Sequence, residues 1–211
     1  MEAMQLSREE FLSYYWSHYL VCEADLRTIG EYVDLRRVNL QTCSLRIAQL
    51  FLTAAAGVEE VLRALYPDTP GTVRIRELAK PLVEDELFFP RQETRLLRSP
   101  DIAPLAPFAS LGESGAVIPP WWKEHAELKH NRAANFGKAT LANLLEAMAA
   151  YHHLCNLYMV KNCSAWLKAT SSYDEALCHP DEPSTMFSLT GWRTRYESEV
   201  SGWLFDGSYH D

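Results

Sequence analysis

The stretch "FGKATLANLLEAMAAYHHLCNLYMVKNCSAWL", residues 136–167 of the 211-residue chain, decides the fold. Alanine and leucine recur throughout it, and both residues have high helix propensity. The pattern predicts one long helix over residues 136–169, the longest of the chain. With 47% hydrophobic residues and this length, the chain is able to bury a substantial core as a single domain.

Three further segments show helical periodicity. Residues 8–35 follow Ser7, a preferred N-cap residue, and place apolar side chains at three- and four-residue steps. Residues 42–66 have a wide apolar face, and residues 121–132 begin after two prolines, which suit a helix start. Together these patterns predict an all-α fold in which residues 1–169 form a helical bundle.

The middle of the chain is less regular. A short helix is expected near residues 74–86, where Pro81 should kink or interrupt it. The stretch "LFFPRQETRLLRSPDIAPLAPFASLGESGAVIPP" that follows carries six prolines and little periodicity. It predicts a long proline-rich loop between the second and third main helices, and loops of this length are often functional.

Residues 170–211 differ from the rest in charge. They hold eight acidic residues against Arg193 and Arg195, a net charge of -6 out of -8 for the whole chain. We predict an acidic C-terminal extension, with a short strand around Met186–Leu189, that docks on the bundle through its aromatic residues. Those aromatic residues are Trp192, Tyr196, Trp203 and Phe205.

The charge and hydropathy exclude some classes of protein. An acidic chain is not a general nucleic-acid binder, because such binding depends on cations that replace counterions at phosphates. Any contact with RNA would need a local basic patch. No apolar run has the length of a membrane helix, and the first residues lack the pattern of a signal peptide. We therefore expect a cytoplasmic protein that does not associate with membranes.

Cysteine and histidine residues give no clear metal motif. The five cysteines are widely spread, and we expect reduced thiols packed in or near the core. A zinc site is disfavoured because the spacing of the candidate ligands fits no compact finger or ribbon, so no metal or cofactor is expected. The candidate ligands are His152, His153, Cys155, Cys163, Cys178 and His179.

The stretch "WWKEHAELKHNR", residues 121–132, is the main candidate site. Projected as one helix, it places Trp121, His125 and Arg132 on one face and His130 on the other. In a structural interpretation the tryptophans anchor the helix, while Lys129 and Arg132 pair with carboxylates such as that of Glu59. In a functional interpretation Lys129 and Arg132 hold an RNA phosphate, and His130 or His125 transfers a proton.

The same residues carry a resemblance to a family. The order of helices over residues 10–165, together with this stretch, resembles bacterial HEPN-type all-α proteins, whose signature is WW-x2-YN-x2-KH-x-R before a long Ala/Leu helix. Residues matching that signature are Trp121, Trp122, Lys129, His130 and Arg132. His125 and Ala126 depart from it, and the R-x4–6-H pair typical of HEPN nucleases is absent. The resemblance implies a helical, often dimeric domain from a superfamily rich in RNases of toxin–antitoxin and antiphage systems.

Two functions are compatible with these patterns. The first is a non-catalytic HEPN-like module that acts through protein partners or local RNA binding, with Trp121, Trp122 and Glu59 as binding residues. The second is a divergent metal-independent RNase. Its catalytic residues would be Lys129, His130, Arg132 and His125. The absence of the R-x4–6-H pair favours the module, and the resemblance leads us to expect a homodimer.

Overall fold

A computed structural model describes residues 6–69, 75–112, 117–170 and 178–192. The described residues are mostly helical and contain one two-stranded antiparallel sheet. The all-α prediction is therefore confirmed. The elements are α1 (Arg8–Phe11), α2 (Ser17–Tyr32), α3 (Leu45–Leu65), α4 (Ile75–Glu84), β1 (Thr94–Leu96), α5 (Pro120–His130), α6 (Arg132–Asn135), α7 (Leu141–Thr170) and β2 (Phe187–Leu189).

The first predicted helix is present as one helical run. Ser7 and Glu10 form a capping box at its start, in which each side chain bonds to the backbone N–H of the other residue. A π-helical turn, Leu12–Trp16, connects α1 to α2. The run ends at Tyr32, three residues earlier than predicted, because Val33 adopts an extended conformation.

Helices α3 and α7 form the centre of the bundle. α3 matches the prediction for residues 42–66, and α7 is buried along most of its length. The two helices are in close contact at Gly57, where a Cβ atom would overlap the ring of Tyr151. The phenolic hydroxyl of Tyr151 donates to the carbonyl oxygen of Tyr15, in the π-helical turn, at 3.1 Å. Tyr151 of α7 therefore contacts both α3 and the π-helical turn.

The last long helix begins at Leu141 rather than at residue 136. The residues before it form a 3-10 turn, Phe136–Lys138, and an isolated bridge between Thr140 and Cys43. The backbone N–H of Leu141 donates to the carbonyl oxygen of Thr42 at 2.9 Å. The start of α7 is thus attached to the turn that precedes α3.

Of the two effects predicted for Pro81, a kink or an interruption, the interruption does not occur in α4. The helix continues from Ile75 to Glu84, with Ala79 and Leu82 buried in the core. A proline removes one hydrogen bond from a helix, and burial of these apolar side chains offsets that loss.

Residues 178–192 of the acidic extension pack against the bundle. β2 pairs with β1, which lies in the proline-rich segment, and aligns Phe187 with Leu96. The predicted strand around Met186–Leu189 is therefore confirmed. Of the aromatic residues expected to dock, Trp192 is buried, whereas Tyr196, Trp203 and Phe205 lie outside the described residues.

Two cysteines are paired. Cys163 near the end of α7 forms a disulfide with Cys178 at the start of the docked segment, and their Cα atoms are 5.0 Å apart. The expectation of reduced thiols is wrong for this pair, because packing of the extension brings two distant cysteines together. Cys22, Cys43 and Cys155 are free thiols. Among the described helices, none has both the length and the apolar character needed to cross a bilayer.

Candidate functional site

Both tryptophans of the "WWKEHAELKHNR" stretch are part of the core. Trp121 and Trp122 lie in the first turn of α5, are 3% and 0% exposed, and stack with ring centroids 5.5 Å apart. The indole N–H of Trp121 donates to the carbonyl oxygen of Pro107 at 2.8 Å. The pair thus anchors α5 to the segment that precedes it.

His125 lies one turn further along α5 and is also buried. Its ring packs edge-on against Phe51 of α3, with centroids 5.9 Å apart. Burial, with a smaller contribution from the positive charges of Lys129 and His130, lowers the pKa of His125 to about 4. The imidazole is therefore neutral near pH 7 and lies between helices, away from solvent.

Lys129, His130 and Arg132 are exposed. We call residues 129–132 the basic turn. α5 ends at His130 because Asn131 leaves the helical region, with φ −147° and ψ 82°. The side-chain oxygen of Asn131 accepts from the backbone N–H of Ala134 at 3.2 Å and starts α6. The break corrects the projection of residues 121–132 as one helix, since Arg132 belongs to α6 and does not share the buried face of Trp121.

Side-chain amides hold the basic turn in shape. The amide of Asn135 donates to the carbonyl oxygens of Glu127 and Asn131, each at 3.0 Å. Lys138, which follows α6, forms a salt bridge with Glu127. The turn therefore connects α5 to α6 with a defined backbone and presents its three basic side chains to solvent.

The sequence suggested that Glu59 pairs with the cations of the basic turn, but the structure shows no such pair. Within the described parts of the chain, neither Lys129 nor Arg132 forms a salt bridge, and Glu59 forms none either. Glu59 is partly buried on α3. The structure therefore does not bring Glu59 into a pair with the basic turn.

A buried carboxylate that the sequence reasoning missed lies on α2. Glu23 is 2% exposed and accepts hydrogen bonds from the hydroxyl of Tyr19 at 2.9 Å, from Ser184, and from the backbone N–H of Thr185 at 2.9 Å. Burial alone would raise the pKa of Glu23, but these hydrogen bonds outweigh burial and lower it. Its position next to Cys22, on the apolar stripe of the helix, is the sequence signal that could have identified it.

The candidate zinc ligands do not form a cluster. Cys163 and Cys178 are joined to each other, and the ring of His153 stacks on Phe88 with centroids 5.6 Å apart. Across the residues that the structure describes, no three histidine, cysteine or acidic side chains come together in a way that could hold a metal ion.

Comparison with known proteins gives no relative. The chain matches no protein-family model, no curated protein and no solved structure. The resemblance to HEPN-type proteins therefore stays a prediction, carried by the residues of α5 and the basic turn.

Proposed function

We propose that this chain is a non-catalytic, HEPN-like helical module that binds RNA locally through the basic turn. One observation carries the proposal: the signature residues divide into a buried half and an exposed half. Trp121 and Trp122, with the neighbouring His125, stabilise the core, whereas Lys129, His130 and Arg132 face solvent without a neutralising carboxylate among the described residues. A cation that forms no ion pair within the protein is available for a phosphate.

The chemistry of the turn suits a phosphate backbone. The guanidinium of Arg132 can bind two phosphate oxygens at once, and the ammonium of Lys129 adds a flexible point charge. The chain as a whole carries a charge of -8, which repels RNA away from this turn. Binding through two or three phosphates is expected to be modest in affinity, with a slope of log K against log salt of roughly −1.4 to −2.

The position of His125 supports a non-catalytic module over a nuclease. A general base must reach the proton that it abstracts, and a histidine packed against Phe51 in the core does not face a substrate in solvent. Of the two histidines in residues 121–132, His130 is the one at the surface. The R-x4–6-H pair of HEPN nucleases is absent as well.

RNA binding is tested by fluorescence anisotropy with a labelled single-stranded RNA of about 20 nucleotides, titrated at several salt concentrations. We expect Lys129→Ala/Arg132→Ala to weaken binding about a hundredfold or more, since each of the two charge-assisted contacts contributes ~1.5 kcal/mol or more and 1.4 kcal/mol is a factor of ten. Because two phosphate contacts are lost, the slope of log K against log salt should become shallower by about 1.4.

A matched control comes from the proline-rich segment. Arg95→Ala/Arg98→Ala removes the same charge from two exposed positions and should leave RNA affinity within about twofold of the unmutated protein. Equal weakening in both double variants would contradict the proposal, because it would show that only net charge matters.

The nuclease alternative is tested on the same RNA. Under the proposal, RNA incubated with the protein in the presence of EDTA stays intact. Defined cleavage that survives EDTA and disappears in His130→Ala and Arg132→Ala would overturn the non-catalytic function and assign the basic turn to catalysis. Sedimentation of the same samples tests the expected homodimer.

A further inference from the structure

The basic turn stands out from the surface of the bundle. Residues 129–134 are all exposed, whereas Leu128 before them is buried and Asn135 after them is half-buried. Six consecutive exposed residues, at the end of α5 and in α6, form a convex surface rather than the floor of a cleft. A ligand that fits closely around a convex surface is one that itself offers a groove.

The backbone of this convex surface is fixed before any ligand binds. The amide of Asn135 donates to the carbonyl oxygens of Glu127 and Asn131, each at 3.0 Å. The carboxylate of Glu127 is in turn paired with Lys138. A rigid turn gains most from a ligand whose phosphates are also held at fixed positions, because neither side then loses much conformational freedom on binding.

Two hydrogen-bond donors lie between the two cations of the basic turn. Asn131 uses its Oδ1 atom to accept from Ala134 at 3.2 Å, and its Nδ2 atom has no partner among the described residues. His130, the residue before it, is exposed and offers the N–H of an imidazole. From Lys129 to Arg132 the order along the chain is therefore cation, donor, donor, cation.

A single strand of RNA matches this surface poorly. Proteins that bind single strands without sequence preference stack the bases on aromatic side chains. Trp121 and Trp122 are 3% and 0% exposed and stack on each other, so neither ring is available to a base. Among residues 129–134 only His130 carries a ring. A flexible strand would lose conformational freedom on binding with little stacking to offset that loss.

An RNA duplex matches the surface better. Its minor groove is wide and shallow, displays the 2′-hydroxyl groups, and has a phosphate backbone along each side, whereas its major groove is too deep and narrow for side chains to read. The Cα atoms of Lys129 and Arg132 are at most roughly 11 Å apart, so their long side chains can contact phosphates on the two sides of one minor groove. The donors of His130 and Asn131 then lie above the 2′-hydroxyl groups.

We propose that the ligand of the basic turn is double-stranded RNA, bound in the minor groove without sequence preference. This inference rests on the proposed function, since it names the class of RNA that the same turn binds. Lys129 and Arg132 contact phosphates, and His130 and Asn131 donate to 2′-hydroxyl groups. A DNA duplex lacks those hydroxyl groups and therefore binds more weakly.

The proposal is tested by fluorescence anisotropy with full-length protein and a blunt RNA duplex of about 16 base pairs. We expect the RNA duplex to bind about fivefold more tightly than either separate strand or the DNA duplex of the same sequence, the ratio that one ordinary hydrogen bond contributes. A second RNA duplex of unrelated sequence should bind within about twofold of the first.

The outcomes separate this proposal from the proposed function. Equal or tighter binding of the single strands, or of the DNA duplex, would overturn double-stranded RNA as the ligand and leave RNA binding by the basic turn standing. No binding of any RNA, or binding that Lys129→Ala/Arg132→Ala does not weaken, would refute the proposed function itself.

Variants of the turn test the 2′-hydroxyl contact. Asn131→Ser keeps a residue that caps α6 but removes the two amide donors. It should reduce the preference for the RNA duplex over the DNA duplex to about twofold or less and leave affinity for DNA unchanged. Lys123→Ala, at an exposed position near the start of α5, is the control and should keep the full preference. An unchanged preference in Asn131→Ser would contradict the placement of the turn in the minor groove.

Discussion

Glu146 on α7 is an acidic residue in an environment that disfavours its ionised form. Its Oε2 atom is buried without a hydrogen-bond partner among the described residues, and burial raises its pKa to about 7. In the unfolded chain the same carboxyl ionises near pH 4.3. Between these two values the folded protein holds a proton that the unfolded chain has lost, so the free energy of unfolding falls as the pH rises through this window.

We predict that Glu146→Gln stabilises the protein at pH 8 by on the order of 3 kcal/mol relative to the unmutated chain, with the difference vanishing near pH 4. The amide keeps the shape of the protonated acid and has no charge to desolvate. Urea unfolding at several pH values measures the difference. Glu31→Gln, at an exposed position, is the control and should show no such trend. A pH-independent difference for Glu146→Gln would contradict the prediction.

At the scale of the helices, stability depends on the close contact between α3 and α7. Gly57→Ala should destabilise the protein by about 1–3 kcal/mol, because the new methyl group overlaps the ring of Tyr151 and forces both helices to adjust. The alanine would otherwise be favoured in a helix by ~1 kcal/mol. Thermal unfolding monitored by circular dichroism measures the change.

Gly137→Ala serves as the comparison for this contact. No atom lies within 4 Å of the position where its Cβ would be added, so we expect little change in melting temperature. If Gly57→Ala were as stable as the unmutated protein, the two helices α3 and α7 would have to move apart with little loss of free energy of unfolding, which would contradict the prediction.

A helix could be predicted from the sequence where its bounds depend on the residues of the helix itself. α3 and the start of α5 follow the periodicity of their own residues and lie within a few residues of the predicted bounds. The start of α7 could not be predicted, because its position depends on backbone hydrogen bonds to Thr42 and Leu40, about 100 residues earlier in the chain. β1 was missed for the same reason, since its partner strand lies in the acidic extension.

For the candidate site at residues 121–132, the sequence predicted which residues take part but not how they are arranged. The signature residues of α5 are apparent in the sequence, yet their division into buried and exposed halves depends on the end of the helix at His130. A projection that continues the helix places Arg132 on the wrong face.

At the scale of the whole molecule, the disulfide joins the end of the bundle to the docked segment. The two cysteines are 15 residues apart in sequence. A cross-link that closes a loop of this length stabilises a protein by about 3 kcal/mol, mainly by restricting the unfolded chain. We predict that Cys163→Ser/Cys178→Ser, or reduction with dithiothreitol, lowers the free energy of unfolding by about that amount.

Denaturant titrations with and without dithiothreitol measure this effect, and Cys43→Ser, which leaves the pair intact, is the control. The reduced protein should also be cut faster by protease within residues 178–192. Identical unfolding curves with and without reductant would show that the other contacts of the segment, such as that of Arg8 with Asp181, are sufficient to hold it.

The hydrogen bonds of Glu23 also have a consequence for synthesis of the chain. Ser184 and Thr185 follow Glu23 by 161 and 162 residues. A ribosome that adds 5–20 residues per second delivers them roughly 8–32 s later. Throughout that interval the carboxylate of Glu23 has only Tyr19, Arg27 and water as partners on and around the nascent α2. The helices of the bundle can pack early, but Glu23 gains its hydrogen bonds from Ser184 and Thr185 only when residues 178–192 have left the exit tunnel.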